Sequence, residues 1–281
     1  MTGIIVKGIG GFYYVKTESG EVVETRARGL FRKDNVKPMI GDRVTVEGNA
    51  LTKIEPRKNS LVRPPVANID NLVIVSAAAS PDPDFKLIDK MLVNAEIAGI
   101  KPVICINKTD LADYSEIEKA YTLAGYPVIS VSAKENWGVE KILPLLKDKT
   151  TAFAGLSGVG KSSILNILTG SEMETGNVSE KIQRGKHTTR HVELIELKEG
   201  GFVLDTPGFS SLEVDNVKAS ELWQYFPEFE ADECRFKGCA HINEPGCKVK
   251  EKLNNGEIAQ SRYESYCEFY EILKQIKEWE K

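Results

Sequence analysis

The sequence contains 281 residues, of which 41% are hydrophobic and 28% are charged, and its formal net charge is −4. A chain of this length and balance forms about two globular domains, with room for a third small one. No apolar run approaches the roughly 18 residues of a membrane-spanning helix, and the first residues lack the pattern of a signal peptide, so we expect a cytoplasmic protein with no membrane partner. We also expect a monomer.

Residues 1–64 form the first predicted domain, an all-β barrel. Segments rich in β-branched or aromatic residues occur at 4–7, 12–16, 22–26, 43–47 and 51–55, separated by glycines and charged residues. Short strands in this number and spacing favour an OB-like barrel, with an SH3-like barrel as the alternative. Residues 57–65 indicate a linker, because the consecutive prolines Pro64 and Pro65 cannot continue a strand ladder.

This first domain is basic. It contains 12 Lys and Arg against 7 Asp and Glu, a formal charge of +5, so the rest of the chain carries −9. A basic module on an acidic body indicates a polyanionic partner such as RNA, although ordinary surface variation would give the same imbalance. Phe12, Tyr13 and Tyr14 are candidates for stacking on bases, but at least one of three consecutive strand residues must point inward.

Residues 65–215 form the second predicted domain, of the α/β class. Buried-type strands are predicted at 71–76, 102–107, 128–131, 152–154 and 203–205, and helices at 87–99, 115–124 and 163–168. This alternation predicts a doubly wound parallel sheet. Residues 216–281 form a third, α-helical domain that is rich in cysteine. A packing face is predicted on its last helix, at Tyr263, Tyr266, Phe269, Tyr270, Leu273 and Ile276.

A phosphate-binding loop is predicted directly after the strand at 152–154. Residues 155–162 read GLSGVGKS, which matches the pattern G-x-x-x-x-G-K-[ST] between a strand and a helix. Such a loop turns backbone N–H groups toward phosphate, its lysine reaches the β- and γ-phosphates, and its hydroxyl residue coordinates Mg²⁺. The predicted nucleotide contacts are Gly155, Leu156, Ser157, Gly158, Val159, Gly160, Lys161, Ser162 and Ser163, with Ser162 also a magnesium ligand.

Two further segments complete the predicted phosphate and magnesium site. Asp205-Thr206-Pro207-Gly208 ends an apolar strand, where Asp205 can hold Mg²⁺ and the N–H of Gly208 can contact the γ-phosphate. Between the phosphate loop and Asp205 lies the segment GKHTTR at 185–190. A switch threonine is required there as a ligand of Mg²⁺ and γ-phosphate, and Thr189 is preferred over Thr188.

The base-recognition residues precede the phosphate loop in the chain. Asn107-Lys108-Thr109-Asp110 resembles the N-K-x-D motif of GTPases, in which the aspartate accepts hydrogen bonds from guanine N1–H and its exocyclic amine. Adenine offers an unprotonated N1 instead, and a site that leaves such groups unpaired rejects the wrong base. The segment after the strand at 128–131 resembles the accompanying S-A-K motif: Ser132, Ala133 and Lys134.

The third domain contains a candidate metal site with the spacing Cys234-x4-Cys239-x-His241-x5-Cys247. Three thiolates and one imidazole suit a closed tetrahedral Zn²⁺ site, whereas a set of buried cysteines is the simpler alternative. We expect so short a loop to have little core of its own, so one structural zinc would supply folding energy. Cys105 and Cys267 are predicted to be packing residues.

The order of these motifs is permuted, since N-K-x-D and S-A-K precede the phosphate loop that leads them in most GTPases. Together with the basic barrel and the cysteine spacing, the permuted order resembles the RsgA family, and the resemblance covers essentially the whole chain. It implies a circularly permuted GTPase that binds the small ribosomal subunit and assists its maturation. It also implies contacts with ribosomal RNA through the barrel and zinc module, and stimulation of hydrolysis by the subunit.

The prediction of the water-orienting residue depends on the family resemblance. Many GTPases place a glutamine right after D-x-x-G, but this sequence has Phe209 there, which cannot orient water. The family is similar in lacking the glutamine, and its proposed substitute, a histidine before the switch threonines, corresponds to His187. His191 is a weaker candidate.

Two other functions fit parts of the sequence. In the first, the protein is a GTP-gated, RNA-binding scaffold or assembly factor whose hydrolysis is incidental. In the second, it is an ATPase with another partner, which Asp110 argues against.

Overall fold

A computed structural model describes residues 1–27, 31, 36–61, 64–170, 192–206, 209, 213–215, 217–230 and 234–276. They form three packed parts that follow one another along the chain. None of the helices among these residues has both the length and the apolar character needed to cross a bilayer.

The first part is a closed five-stranded barrel with the strand order β1-β2-β3-β5-β4. Alternate residues of each strand point inward, and the interior is filled by branched aliphatic side chains such as Ile5, Val15 and Leu51. All five predicted strands are confirmed to within two residues at each end. Their bounds are Thr2–Ile9, Phe12–Thr17, Val22–Ala27, Arg43–Glu47 and Ala50–Ile54 for β1 to β5.

The predicted linker is wrong in part, because it contains a small hairpin. Strand β6, Ser60–Leu61, pairs antiparallel with β7, Val66–Ala67. The two prolines lie outside the ladder, in the connection between these strands, so their missing donors cost no strand hydrogen bond. The Asn59 side chain closes the hairpin base by accepting from the N–H of Ile69 and donating to its carbonyl, both at 2.8 Å.

The central part is built on a six-stranded sheet with the order β10-β9-β8-β11-β13-β12. The first five strands in this order are parallel, as predicted, so their carboxyl ends meet at one edge. The antiparallel edge strand β12 was not predicted, because it is only two residues long. The bounds of β8 to β13 are Asn71–Ala77, Lys101–Asn107, Val128–Ser130, Thr150–Ala154, Ile195–Glu196 and Phe202–Asp205.

Within the described residues, four α-helices pack on this sheet. The first begins after Asp84, whose side chain accepts from the N–H of Leu87 at 2.9 Å and so caps its first turn. The fourth begins at Lys161, two residues before the predicted start, because the end of the phosphate loop is already helical. The bounds of α1 to α4 are Phe85–Ile97, Ser115–Leu123, Leu143–Leu146 and Lys161–Thr169.

The C-terminal part contains two short 3₁₀ helices, Ala219–Tyr225 and Pro227–Phe229, followed by α5, Lys248–Asn254, and α6, Gln260–Gln275. The cysteine-rich loop, residues 234–247, packs on a larger apolar core that other segments of the C-terminal part supply. Phe226, Phe229 and Tyr266 are buried and in mutual ring contact, and Cys239 and Cys247 belong to the same apolar cluster. The predicted packing face of the last helix supplies much of this core, which the cysteine spacing alone could not indicate.

The C-terminal part is joined to the central part by a buried ion network. Arg262 of α6 donates to Asp89 of α1 at 2.8 Å and to both carboxylate oxygens of Glu228 at 2.7 and 3.1 Å. The side chains of Arg262 and Asp89 are fully buried, and that of Glu228 is 3% exposed. The guanidinium also lies 4.5 Å from the ring centre of Phe226. This arrangement fixes α6 against the helix that follows the sheet's central strand β8.

We expect Arg262→Met to destabilise the protein by about 3–5 kcal/mol, because it leaves two buried carboxylates without their cation. Urea unfolding measures this loss. The matched control is Lys86→Met, since Lys86 pairs with Glu268 across the same two helices but both side chains are about half exposed. That exposed pair contributes less than about 1 kcal/mol. Equal free energies of unfolding for the two variants would contradict the stabilising role of the buried ion network.

Candidate nucleotide and zinc sites

The phosphate loop lies between β11 and α4, in the position that phosphate binding requires. Gly155 and Gly160 have positive φ, and a Cβ on either would lie 2.2 Å from another group, the carbonyl oxygen of Val75 or the side-chain amide of Asn107. Both positions therefore need glycine. The Lys161 ammonium folds back over the loop and donates to the carbonyls of Gly155 and Leu156 at 2.9 and 2.8 Å. It is thus held at the loop where the phosphates of a nucleotide would lie.

Asn107 connects the base-recognition segments to the phosphate loop. Its buried side chain donates to the carbonyl of Val159 at 2.8 Å and accepts from the N–H of Ala133 at 3.0 Å. One amide thereby fixes the loops that begin after β9, β10 and β11. The permuted motifs come together at the carboxyl edge of the sheet, where ligands bind in folds of this kind.

Asp110 projects from this edge as an exposed carboxylate. Its Oδ1 accepts from the Ser132 hydroxyl at 2.7 Å, and this hydrogen bond holds the pKa of Asp110 below its usual value. The carboxylate is therefore an acceptor at neutral pH, as guanine recognition needs. Beside it, Thr109 donates through both its N–H and its hydroxyl to the carbonyl of Val131, at 3.3 and 3.0 Å.

Lys108 and Lys134 lie at the same edge. Lys108 has a left-handed backbone, and its ammonium donates to the carbonyl of Ser80 in the loop before α1. That loop also approaches the phosphate loop, since Pro81 would lie 3.9 Å from a Cβ on Gly158. Lys134 is exposed and pairs with its neighbour Glu135 at 3.3 Å.

The described magnesium candidates are Ser162 and Asp205. Ser162 is in the first turn of α4, and Asp205 ends β13 in register with Phe153 of the strand that leads into the phosphate loop. A hydroxyl and a carboxylate beside a phosphate loop are the hard oxygen donors that Mg²⁺ takes in such sites, so these residues fit the ion. The candidate switch threonines Thr188 and Thr189 lie outside the described residues. So do the water-orienting candidates His187 and His191 and the γ-phosphate contact Gly208.

Phe209 is buried, with 1% of its surface exposed, and belongs to the core shared by the barrel and the central sheet. A ring in that position cannot orient water at the phosphate. Hydrolysis therefore needs its water-orienting group from another part of the chain or from a partner.

The cysteine-rich loop of the C-terminal part brings its four predicted ligands together. The Sγ atoms of Cys234 and Cys247 lie 3.6 and 3.5 Å from Nδ1 of His241, and the four ligand atoms, including Sγ of Cys239, are within 4.8 Å of one another. Zinc–ligand bonds of about 2.3 Å to sulfur and 2.0–2.1 Å to nitrogen put tetrahedral ligands about 3.6 Å apart. The cluster fits one structural zinc through Nδ1 of the histidine.

Surrounding groups hold this loop in shape. The Glu244 carboxylate accepts from the N–H groups of Ala240, Ile242 and Asn243 at 2.9–3.1 Å. The hydroxyls of Tyr263 and Tyr266 donate to the carbonyls of His241 and Ala240 at 2.7 and 2.9 Å. Contacts of this kind orient the ligands before metal binds. The packing prediction for Cys105 is confirmed, because its side chain is fully buried in an apolar cluster of the central part. This burial raises the pKa of its thiol to about 12.

The aromatic candidates on β2 differ in orientation. Tyr13 lies on the side of the strand that carries the buried residues Val15 and Thr17, and burial raises the pKa of its hydroxyl. Tyr14 donates to Glu24 at 3.0 Å. Phe12 faces outward under the guanidinium of Arg26, which lies 4.2 Å from its ring centre. Of the three residues, Phe12 is therefore the best placed for stacking.

The sequence did not indicate the buried residues that join the C-terminal part to the central part: Asp89, Glu228 and Arg262. One signal was available for Arg262, which lies four residues before Tyr266 and seven before Phe269 on the apolar face of α6. A cation on an apolar helix face indicates a buried partner. Asp89 and Glu228 have no comparable signal, because neither lies in a motif.

The comparisons with known proteins agree with this geometry. The family model described as RsgA N-terminal domain matches residues 2–53, and that of the RsgA GTPase matches 54–215. The protein named small ribosomal subunit biogenesis GTPase RsgA from Ruminiclostridium cellulolyticum is 50% identical, over 99% of this chain and 95% of the relative. Its namesake from Agathobacter rectalis is 46% identical, over 98% of both.

Two solved structures are similar over almost the whole chain. YjeQ from Thermotoga maritima has a TM-score of 0.83 and 38% identity, covering 98% of this chain and 99% of its own. YloQ, a circularly permuted GTPase, has a TM-score of 0.81 and 39% identity, covering 98% and 96%.

Proposed function

The chain belongs to the RsgA GTPase family and hydrolyses GTP, and we propose that it does so on the small ribosomal subunit, which it binds and helps to mature late in assembly. The observation that supports guanine specificity is the exposed Asp110 carboxylate, which accepts from Ser132 beside the segment that Asn107 links to the phosphate loop. The observation that carries the partner is the name shared by relatives that are about half identical over their full lengths.

The proposed roles follow from the positions of the residues. The phosphate loop, residues 155–163, binds the phosphates of GTP. Asp110 accepts hydrogen bonds from guanine, and Ala133, Lys134 and Lys108 line the base site. Ser162 and Asp205 hold Mg²⁺ together with Thr189, and that ion neutralises the charge of the phosphates when it is bound. Gly208 contacts the γ-phosphate.

The proposed water-orienting residue is His187. The burial of Phe209 supports this assignment, because the position that usually carries the water-orienting glutamine has no polar group here. An enzyme of this design hydrolyses GTP slowly alone and faster when a partner orders its switches.

The proposed RNA contacts are on the barrel and the zinc module. Phe12 with Arg26 forms an outward aromatic–cation pair, and Phe236, which is 44% exposed, carries Arg235 at 5.5 Å from its ring centre. Aromatic rings beside cations bind unstacked bases and phosphates together. We further propose a cytoplasmic monomer, with domains at 1–64, 65–215 and 216–281.

Strong stimulation by the subunit is the expected result when phosphate release from GTP is measured with and without purified small ribosomal subunits. ATP is the control nucleotide, because Asp110 disfavours adenine. Unchanged GTP hydrolysis would contradict activation by the subunit and favour the scaffold alternative. His187→Ala distinguishes the same two functions, since only an enzyme whose hydrolysis drives its cycle should lose function while it still binds GTP.

A further inference from the structure

A row of side chains follows β2 across the outer face of the barrel. Phe12, Tyr14 and Lys16 alternate with inward residues such as Val15, so they share the outward side of the strand. Phe12 lies at one end of the row under the Arg26 guanidinium. Lys16 lies at the other end, roughly 13 Å away at about 3.3 Å per residue. The proposed RNA surface at Phe12 therefore continues along the strand toward Lys16.

The Lys16 end of this row meets the edge of the central part. The N–H of Leu194 donates to the carbonyl of Val6 at 2.9 Å, and both residues are buried. Val6 has no partner in β2 and forms a bulge of β1, which turns its backbone groups away from the ladder. Next to it, Lys7 and Glu193 form an antiparallel bridge. This backbone pairing, here called the joint, does not involve the glutamate carboxylates.

Two glutamates of the central part pair with the barrel lysines beside the joint. Glu193 pairs with Lys7 at 2.6 Å, and Glu196 of β12 pairs with Lys16. The two lysine side chains are 31% and 22% exposed and the two glutamate side chains 46% and 49%, so water reaches all four. Ion pairs as exposed as these contribute little to stability. Another anion can therefore replace the carboxylates without disrupting the fold.

The four charged groups line one cavity between the barrel and the central part. Its volume is about 500 Å³, within the range of roughly 300–1,000 Å³ that is usual for ligand sites. Tyr14 contributes to its lining from the barrel, and Phe202 from the central sheet. A nucleic-acid strand that follows β2 from Phe12 thus has room beside Tyr14, and it reaches two ammonium groups there.

We propose that Glu193 and Glu196 occupy the positions of two RNA phosphates, and that single-stranded RNA on the barrel displaces them from Lys7 and Lys16. This inference rests on the proposed RNA surface of the barrel. Carboxylates and phosphates accept from the same ammonium groups, and a phosphate brought to either lysine is repelled by the glutamate beside it. The central part thereby makes the barrel a weaker binder of RNA than its formal charge of +5 indicates.

Glu193→Gln with Glu196→Gln tests this competition. The probe is a fluorescently labelled oligouridylate of about 12 nucleotides, a length that one such barrel can cover, and fluorescence anisotropy measures its dissociation constant. We expect the dissociation constant to fall about tenfold, because the two lysines are no longer paired with carboxylates. The joint stays intact, since the substitutions leave its backbone pairing unchanged.

The salt dependence of RNA binding gives a second readout. In the native protein each displaced glutamate takes up a cation as the phosphate releases one, so the two effects cancel. In the glutamine variant only the release remains. The slope of log affinity against log salt concentration should therefore become more negative by about 1.4, which is about 0.7 for each of two phosphates. A purely structural role of the glutamates would not change this slope.

Glu55→Gln with Glu271→Gln is the matched control. It removes the same two charges from exposed pairs, which Glu55 forms with Lys53 and Glu271 with Lys274, and none of these residues lines the cavity. Because salt screens charges at a distance, we expect the control to change RNA affinity less than about twofold and to keep the native salt slope.

An RNA affinity and a salt slope equal to those of the control would overturn the proposal. So would a gain in affinity that persists when Lys7→Met and Lys16→Met are added to the glutamine variant, because the gain must come from these lysines. Urea unfolding verifies that each variant is folded. Phe12→Ala tests the RNA surface separately: unchanged affinity in that variant would reject the barrel site itself, whereas lowered affinity beside an inert glutamine variant would reject only the competition.

Discussion

Asp110→Asn is expected to lower the affinity for GTP about a thousandfold. The Asp110 carboxylate accepts two hydrogen bonds from guanine, from N1–H and the exocyclic amine, and an asparagine side chain can accept only one of them. Its amide would also face the exocyclic amine with donor against donor. A site whose polar groups are left unpaired loses several kcal/mol of binding free energy.

The same substitution should create affinity for xanthosine triphosphate. Xanthine keeps N1–H but has a carbonyl in place of the exocyclic amine, so asparagine offers an acceptor to the first and a donor to the second. Competition of each triphosphate against a fluorescent GDP measures the exchange of preference. Asp113→Asn is the matched control, because Asp113 lies in the same exposed loop but accepts from Ser115. An Asp110→Asn variant that still prefers GTP would show that guanine is read elsewhere.

Loss of zinc is expected to unfold the C-terminal part. Cys247 lies in the apolar cluster of that part, and its sulfur is 3.5 Å from Nδ1 of His241, so Cys247→Ser removes a ligand and puts a hydroxyl among apolar groups. Structural zinc sites contribute on the order of 10 kcal/mol to folding. We expect one zinc per chain in the native protein, none in the variant, and a separate early unfolding transition.

Cys267→Ser is the matched control for this experiment. Cys267 is on α6, half-buried, and is not part of the metal cluster. Its replacement should keep the zinc content at one and shift the unfolding midpoint only slightly. Zinc content is read by atomic emission, and structure by near-ultraviolet circular dichroism. Full zinc content in Cys247→Ser would reject the ligand set, and a zinc-free variant with an unaltered spectrum would reject a structural role.

The sequence predicted the parts of this fold that depend on local chemistry. Glycines at 155 and 160 are required because a Cβ at either position would lie 2.2 Å from a neighbouring group, and such requirements leave a recognisable spacing in the sequence. The same holds for the zinc ligands, whose geometry restricts both residue type and separation. The long buried strands β8 and β9 were equally clear, because strands covered on both faces are continuously apolar.

Features that depend on contacts between distant segments were not predicted. Strand β12 is two residues long, and it exists because β13 pairs with it while the barrel pairs with the chain just before it. The β6–β7 hairpin likewise depends on the Asn59 side chain rather than on strand propensity. Local pattern carries no information about such pairings, since the energy that selects them comes from the assembled domain.

The buried network of Arg262, Asp89 and Glu228 also restricts how this chain can change during evolution. Its members lie in three segments, and losing any one leaves the others charged inside the protein. Substitutions at positions 89, 228 and 262 should therefore occur together among relatives. For the same reason, a C-terminal module taken from a relative should function on this central domain only when its residues at 228 and 262 suit an aspartate at 89.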